Sequence, residues 1–319
     1  MAIINEQNGR LYNVLNSKKK LKKIFFPIIL LAAFLFCACQ DDLTETPSFI
    51  HVDSITLRVP DENAVTLEPG FYTSDIVAAY VVLHAKGESK VDTIGLFRLP
   101  FTAPVLRSGE MDYIEIAPAI EQSGSSKALP FYTFYERITF NNPVLKAGDT
   151  LDFGALTTTY ESHVDVLMYQ LFETEATSQF GDELAIEHND TEGACSGQGY
   201  GYMHLTADQY SKEVEINRTF DVYDRTKLLY LELDSRGDLD FEVYMTSRYM
   251  TGGSTDKQPV MVVRKTDDWE HLYINLGRTW SYFGYFHEFK LSIVALNPDG
   301  VEGDIRLDNV RLLTTTVVL

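Results

Sequence analysis

The stretch Leu228–Met245, LLYLELDSRGDLDFEVYM, decides the architecture. It holds two apolar and aromatic runs separated by Gly237-Asp238, and runs of this kind bounded by Gly and Asp read as strands joined by a turn. The same signal recurs on both sides, in FGDELAIE (180–187), GYMHLT (201–206), VMVVRKTDDWEHLYINL (260–276), HEFKLSIVAL (287–296) and GDIRLDNVRLL (303–313). An Asn297-Pro298-Asp299-Gly300 turn separates the last two. Strands at regular spacing with turn residues between them predict an all-β sandwich over 164–315, beginning with a strand at Val164–Phe172.

Upstream, 49–158 reads as a separate small β domain, either a sandwich of immunoglobulin type or a meander. Ile50, Val52, Ile55, Leu57 and Val59 alternate with one break, and Pro60-Asp61-Glu62-Asn63 makes a turn. Asp75–His84 and Val91–Leu99, joined by Lys86-Gly87-Glu88-Ser89, predict a hairpin. Pro100 and Pro104 are expected to interrupt the ladder, and Met111–Ile116 follows as a further strand. Phe131, Tyr132, Phe134 and Tyr135 suit either a packed seam or a ligand-stacking platform.

Residues 1–38 have the parts of a secretory leader. Lys18, Lys19, Lys20, Lys22 and Lys23 form the positive region, Ile24–Phe36 the apolar region, and Ala38 is a small residue before a cleavage point. The apolar run to Cys39 is shorter than the roughly 20 residues of a membrane-crossing helix. The window Phe36-Cys37-Ala38-Cys39 resembles the lipobox of bacterial lipoproteins. That resemblance implies lipidation of Cys39, a palmitate-type anchor in the outer membrane, and a tether over 39–48. It departs from the usual pattern in carrying Phe36 and Cys37. The acidic Gln40-Asp41-Asp42-Leu43-Thr44-Glu45 resembles the surface-export signal of Bacteroidetes lipoproteins, which implies display at the cell surface.

The leader carries six basic residues and one acidic residue, so 21 basic and 45 acidic residues follow it, a formal charge of −24 over 281 residues. Such a surface repels nucleic acid, which is excluded as a partner. Cys195 is the only cysteine beyond Cys39, so no intramolecular disulfide framework or cysteine-rich zinc site can form.

The strand YLELD (230–234), the strand WEHLYINL (269–276) and the closing LDNVRL (307–312) together resemble the galactose-binding-like jelly roll of carbohydrate-binding modules. The likeness implies a carbohydrate ligand. It also implies a structural calcium held by Asp308 with Asp182 or Glu183, since calcium takes 6 to 8 oxygens; a strand-end turn satisfied by Asp308 and Asn309 accounts for the same residues. IGLFRLPFTAPVLRSGEMDYIEIAP (94–118) with PFYTFY (130–135) resembles N-terminal modules of Bacteroidetes lipoproteins and carries no catalytic residues across. Asp53-Ser54-Ile55, Asp92-Thr93-Ile94 and Asp149-Thr150-Leu151 resemble an O-glycosylation sequon, though strand starts explain them equally.

Between two strands, Thr279–Phe286 packs five aromatics, and Trp280, Tyr282 and Tyr285 are candidates for stacking on sugar rings. Core packing satisfies the same pattern. Trp269 lies inside a strand pattern and is expected in the core. The glycine-rich Gly193–Tyr202 lacks the strand-to-helix context of a phosphate loop. No HExxH, Gly-x-Ser-x-Gly or EF-hand pattern occurs, and no catalytic residue is assigned. Three function classes remain in order: a non-catalytic carbohydrate-binding protein, an adaptor subunit bound to an outer-membrane protein, and a glycan hydrolase, whose carboxylate pair would have no local spacing.

Overall fold

The computed structural model describes residues 46–58, 73–124, 128–175, 178–188, 193–222, 227–248, 255–284 and 288–316. The leader with Cys39, the expected turn at Pro60–Asn63, and Tyr285 and Phe286 lie outside these residues. Ser48–Leu319 forms one compact unit, and all that follows concerns it.

Its first strands are β1 (Ser48–Val52), β2 (Ser54–Leu57), β3 (Ile76–Ala85), β4 (Val91–Arg98), β5 (Phe101–Val105) and β6 (Gly109–Ile120). Four short ones follow: β7 (Ile138–Asn141), β8 (Val144–Leu145), β9 (Thr150–Asp152) and β10 (Ala155–Thr158). The expected hairpin is β3–β4, in register from Ala78↔Arg98 to His84↔Val91, and it belongs to a sheet ordered β4-β3-β6-β7. A second sheet runs β5-β1-β9, and β2 pairs in parallel with β10. Pro104 does not break its strand. It lies within β5, opposite Phe49, and β5 is the edge of its sheet, where a missing N–H leaves no inner partner unsatisfied. Alternation buries Ile50, Val52, Ile55 and Leu57 in a core with Val81, Leu83, Ile114 and Ile116, closed by Tyr132, Phe134 and Tyr135.

The remaining strands are β11 (Val164–Gln170), β12 (Ala185–Glu187), β13 (Tyr200–Leu205), β14 (Ser211–Glu215), β15 (Phe220–Asp221) and β16 (Lys227–Gly237). After them come β17 (Asp240–Arg248), β18 (Thr255–Val263), β19 (Thr266–Asn275), β20 (Glu288–Leu296) and β21 (Gly303–Thr316), with helix α1 (Gly277–Tyr282) between β19 and β20. Two antiparallel sheets result. One is ordered β12-β13-β21-β16-β19 with β11 beside β21, and the other β14-β20-β17-β18 with β15 beside β20. The chain changes sheet from β13 to β14, β15 to β16, β16 to β17, β18 to β19, β19 to β20 and β20 to β21, while β17 and β18 form a hairpin within one sheet. The chain is all-β, an N-terminal β module followed by a β-sandwich of jelly-roll type.

Strand β16 shows why its sequence reads as nearly continuous burial. Leu229, Leu231 and Leu233 point into the sandwich core, each burial worth about 1.5–3 kcal/mol. Tyr230, between them, points out into the N-terminal core. Opposite it, β21 carries a bulge. Glu232 pairs Arg311 and Asp234 pairs Asp308, so Leu233 faces two residues, and Asn309 absorbs the extra residue at φ +49°. Asn enters this left-handed region more readily than most side chains. At the end of β16, Gly237 has φ +153°, and a Cβ there would stand 2.4 Å from the Asp304 carbonyl oxygen. Only glycine permits this approach of β16 to β21.

Candidate functional site

The outward face of the β12-β13-β21-β16-β19 sheet carries the polar chemistry, and it divides into three zones. In the first, N-terminal residues cover it. Glu232 accepts hydrogen bonds from the Tyr132 and Tyr160 hydroxyls, each at 2.6 Å, and from Arg311 Nη1 at 3.3 Å. Tyr273 receives the Asp75 N–H at 3.0 Å and meets the Tyr135 hydroxyl at 3.1 Å. Burial, followed by the Glu232 charge, pushes the hydroxyls of Tyr132, Tyr135, Tyr160 and Tyr273 well above their ordinary pKa. These phenols stay protonated and act as donors.

The second zone is a sealed polar cluster. His271 Nδ1 donates to Asp234 Oδ1 at 2.8 Å, and Oδ2 accepts from Thr73 Oγ1 at 2.5 Å and Asn309 Nδ2 at 2.7 Å. Burial works to raise the Asp234 carboxyl, but the His271 hydrogen bond and charge with the Thr73 and Asn309 donors hold it below the ordinary carboxylate range. Asp308 accepts the N–H of Ser196 at 2.9 Å on Oδ2 and of Asn309 at 2.7 Å on Oδ1. Burial nevertheless pushes its pKa up to about 8, with the neighbouring Asp234 charge adding to it. Two carboxyls of opposite protonation resemble an acid–base pair, but both are buried, Asp234 at 1% and Asp308 at 0% exposed. Burial, then the Asp234 and Asp308 charges, raise the Cys195 thiol far above its ordinary pKa, which removes it as a thiolate nucleophile.

The third zone is open and lies at the end of the sheet nearest the β16–β17 turn. Gly201, Met203 and Leu205 point inward, so Tyr200, Tyr202 and His204 project outward. The Tyr202 and His204 rings lie nearly parallel, with centroids 6.3 Å apart and an interplanar angle of 11°. Across the register, Tyr202 pairs Arg306 and His204 pairs Asp304, while Arg236 faces Arg306 from the other side. Arg306 Nη2 donates to Asp304 Oδ2 at 3.1 Å and its guanidinium lies 5.9 Å over the Tyr200 ring, whose edge meets Trp269. Burial and the Asp304 charge raise the Tyr202 hydroxyl above its ordinary pKa. A pocket of about 280 Å³ is lined by Arg236, Asp238, Thr266, Asp267, Asp304 and Arg306. Asp304 Oδ1, buried in this wall, has no hydrogen-bond partner among the described residues.

The sequence-predicted residues fall elsewhere. Trp280 is 1% exposed and packs in the sandwich core with its ring 5.0 Å from Phe289. The described part of the expected aromatic loop is instead helix α1 with Phe283 after it, which directs Trp280 and Phe283 inward and leaves Tyr282 at 64% exposed. Trp280 is therefore a core anchor, the packing alternative that its pattern also allowed. Trp269, expected in the core, is only partly buried and belongs to the outward face. Asp182 and Glu183 are exposed, whereas Asp308 is buried with both oxygens on backbone N–H groups. Among the described residues no group of three or more His, Cys, Asp and Glu side chains converges to hold a metal, so Asp182, Glu183 and Asp308 do not fit the calcium site expected of them. The residues that sequence reading missed, Tyr202, His204, Arg236, Asp304 and Arg306, carry one usable signal, the two-residue alternation of aromatic and inward residues over Tyr200–Leu205.

The fold is that of an all-β protein with a two-sheet sandwich. No family model and no curated protein matches the sequence. Solved structures give distant likenesses. A family 30 carbohydrate-binding module is 18% identical with a TM-score of 0.35, covering 44% of this chain and 77% of that one. The family 30 module of a cellulosomal cellulase of Clostridium thermocellum is 19% identical with a TM-score of 0.33, covering 41% and 82%. A xylan-binding domain from Paenibacillus barcinonensis is 14% identical with a TM-score of 0.35, covering 50% and 99%.

Proposed function

We propose that this chain is a lipid-anchored, non-catalytic binding protein of the outer membrane, displayed at the cell surface, that holds carbohydrate on the open end of its outward sheet face. The observation that carries the reading is the near-parallel Tyr202 and His204 pair beside Asp304, whose Oδ1 has no partner among the described residues. Sugars bind by stacking C–H faces on aromatic rings while carboxylates and guanidinium groups take the hydroxyls, and this zone supplies both kinds of contact. A buried acceptor without a donor gains more from a ligand hydroxyl than an acceptor already in water. The anchor rests on the Phe36–Cys39 window and the acidic residues after it.

The test is a glycan array probed with the mature chain, alongside Tyr202→Ala and Tyr282→Ala. Binding to at least one glycan that Tyr202→Ala abolishes and Tyr282→Ala preserves is expected. Failure to bind any glycan, or equal binding by Tyr202→Ala, overturns the reading. Labelled palmitate incorporated by cells and lost in Cys39→Ser tests the anchor separately.

A further inference from the structure

Four connections between the sheets lie at one end of the sandwich: 206–210 after β13, 238–239 after β16, 264–265 after β18, and 297–302 after β20. A groove of about 860 Å³ lies among them. It shares Asp238, Thr266 and Asp267 with the sheet-face pocket, so the two hollows form one surface that turns from the face over the end of the sandwich. The pocket alone falls just short of the roughly 300–1,000 Å³ of small-molecule sites, while the groove lies well inside that range.

The groove offers two kinds of contact. Val262 and Val301 are exposed apolar side chains in its wall, at 41% and 62%. Leu239, Leu296 and Pro298 add to the apolar lining, and the charged lining is predominantly acidic: Arg264 and Lys265 stand among five carboxylates, and Arg264 is paired with Asp240 at 2.5 Å. A polyanionic ligand would meet repulsion here, reinforced by the charge of the whole chain. An uncharged polyhydroxyl chain would not, since it lays C–H faces on the valines and hydroxyls on the carboxylates.

We infer that the ligand of this site is a neutral, extended oligosaccharide that starts in the Asp304 pocket of the sheet face and runs over the end of the sandwich into the groove. This rests on the carbohydrate-binding reading above and adds the length and charge of the ligand to it. The two hollows then act as linked subsites, and affinity grows as the chain reaches the second.

The experiment is titration calorimetry of the mature chain and of Val301→Asp with the backbone that the array identifies, from disaccharide to hexasaccharide, plus a uronate-bearing series. Val301 is solvent-exposed, and thermal melting checks that the variant folds as the parent does. The expected result is a gain of about tenfold or more between the shortest and longest neutral chains, lost in Val301→Asp while disaccharide binding persists. Weaker binding of the uronate series is expected as well. Affinity that is flat with length, an unaltered length gain in Val301→Asp, or preference for the uronate series overturns the inference and leaves the binding reading standing. Absence of binding at every length, with an array that is also blank, overturns both.

Discussion

Arg311 of β21 meets Glu232 of β16 directly across the sheet, Nη1 to Oε2 at 3.3 Å, with side chains 2% and 0% exposed. The pair lies where N-terminal tyrosines cover the sandwich, and Tyr132 and Tyr160 supply the remaining donors to the carboxylate. Removing one partner strands the other charge in a dry site. Arg311→Met is expected to destabilise the protein by about 3–5 kcal/mol, and Glu232→Gln by a comparable amount. In urea unfolding the double variant should lose clearly less than the two single losses combined; strict additivity would show that the two groups are not coupled.

Asp308 sets a pH dependence of known sign. Its folded pKa is about 8, whereas an unfolded aspartate titrates near 4. Between those values the folded state holds a proton that the unfolded chain has released, so stability falls as pH rises through the window and stays reduced above it. Asp308→Asn cannot ionise. It loses one backbone hydrogen bond at every pH, so its stability relative to the parent starts with a constant deficit and improves from pH 4 to pH 8. Unfolding curves at several pH values check this, and a difference that does not change with pH contradicts it.

Trp280 and Tyr202 separate stability from binding. Trp280→Ala empties a core position against Phe289 and is expected to cost about 3–5 kcal/mol. Tyr202→Ala, on the half-exposed face, is expected to leave the melting temperature within a few degrees and remove glycan binding. A folded Trp280→Ala protein that has lost binding as fully as Tyr202→Ala would return the site to α1.

Chelation addresses the metal. With Asp182 and Glu183 exposed and both Asp308 oxygens engaged by backbone donors, a chelator should leave the melting temperature unchanged, and added calcium should not raise it. A calcium-dependent rise in scanning calorimetry would locate ligands among residues other than these three.

The strands of this protein were legible because their side chains alternate against a core, as in Ile50, Val52, Ile55 and Leu57. YLELD and LDNVRL likewise became β16 and β21, paired with each other. Trp269 was misplaced, and Trp280 was left between two readings. Periodicity says that a residue points to one side of its element, and does not say which side is covered. Trp269 therefore reads as core until the sheet is assembled, and Trp280 stays open between core packing and ligand contact until α1 turns it inward. The bulge at Asn309 left no mark in the sequence, since its φ of +49° follows from pairing between strands far apart in the chain. The open zone was hidden for a related reason: Tyr202, Arg236, Asp304 and Arg306 come from three strands, and only the register puts them side by side.

Strand β16 belongs to two interiors at once, Leu229, Leu231 and Leu233 to one and Tyr230 to the other. Neither interior can release this strand without exposing the side chains it lends to the other. Local opening of the covered end is thereby tied to loss of the whole sandwich, so amide exchange along β16 would report global unfolding rather than fraying.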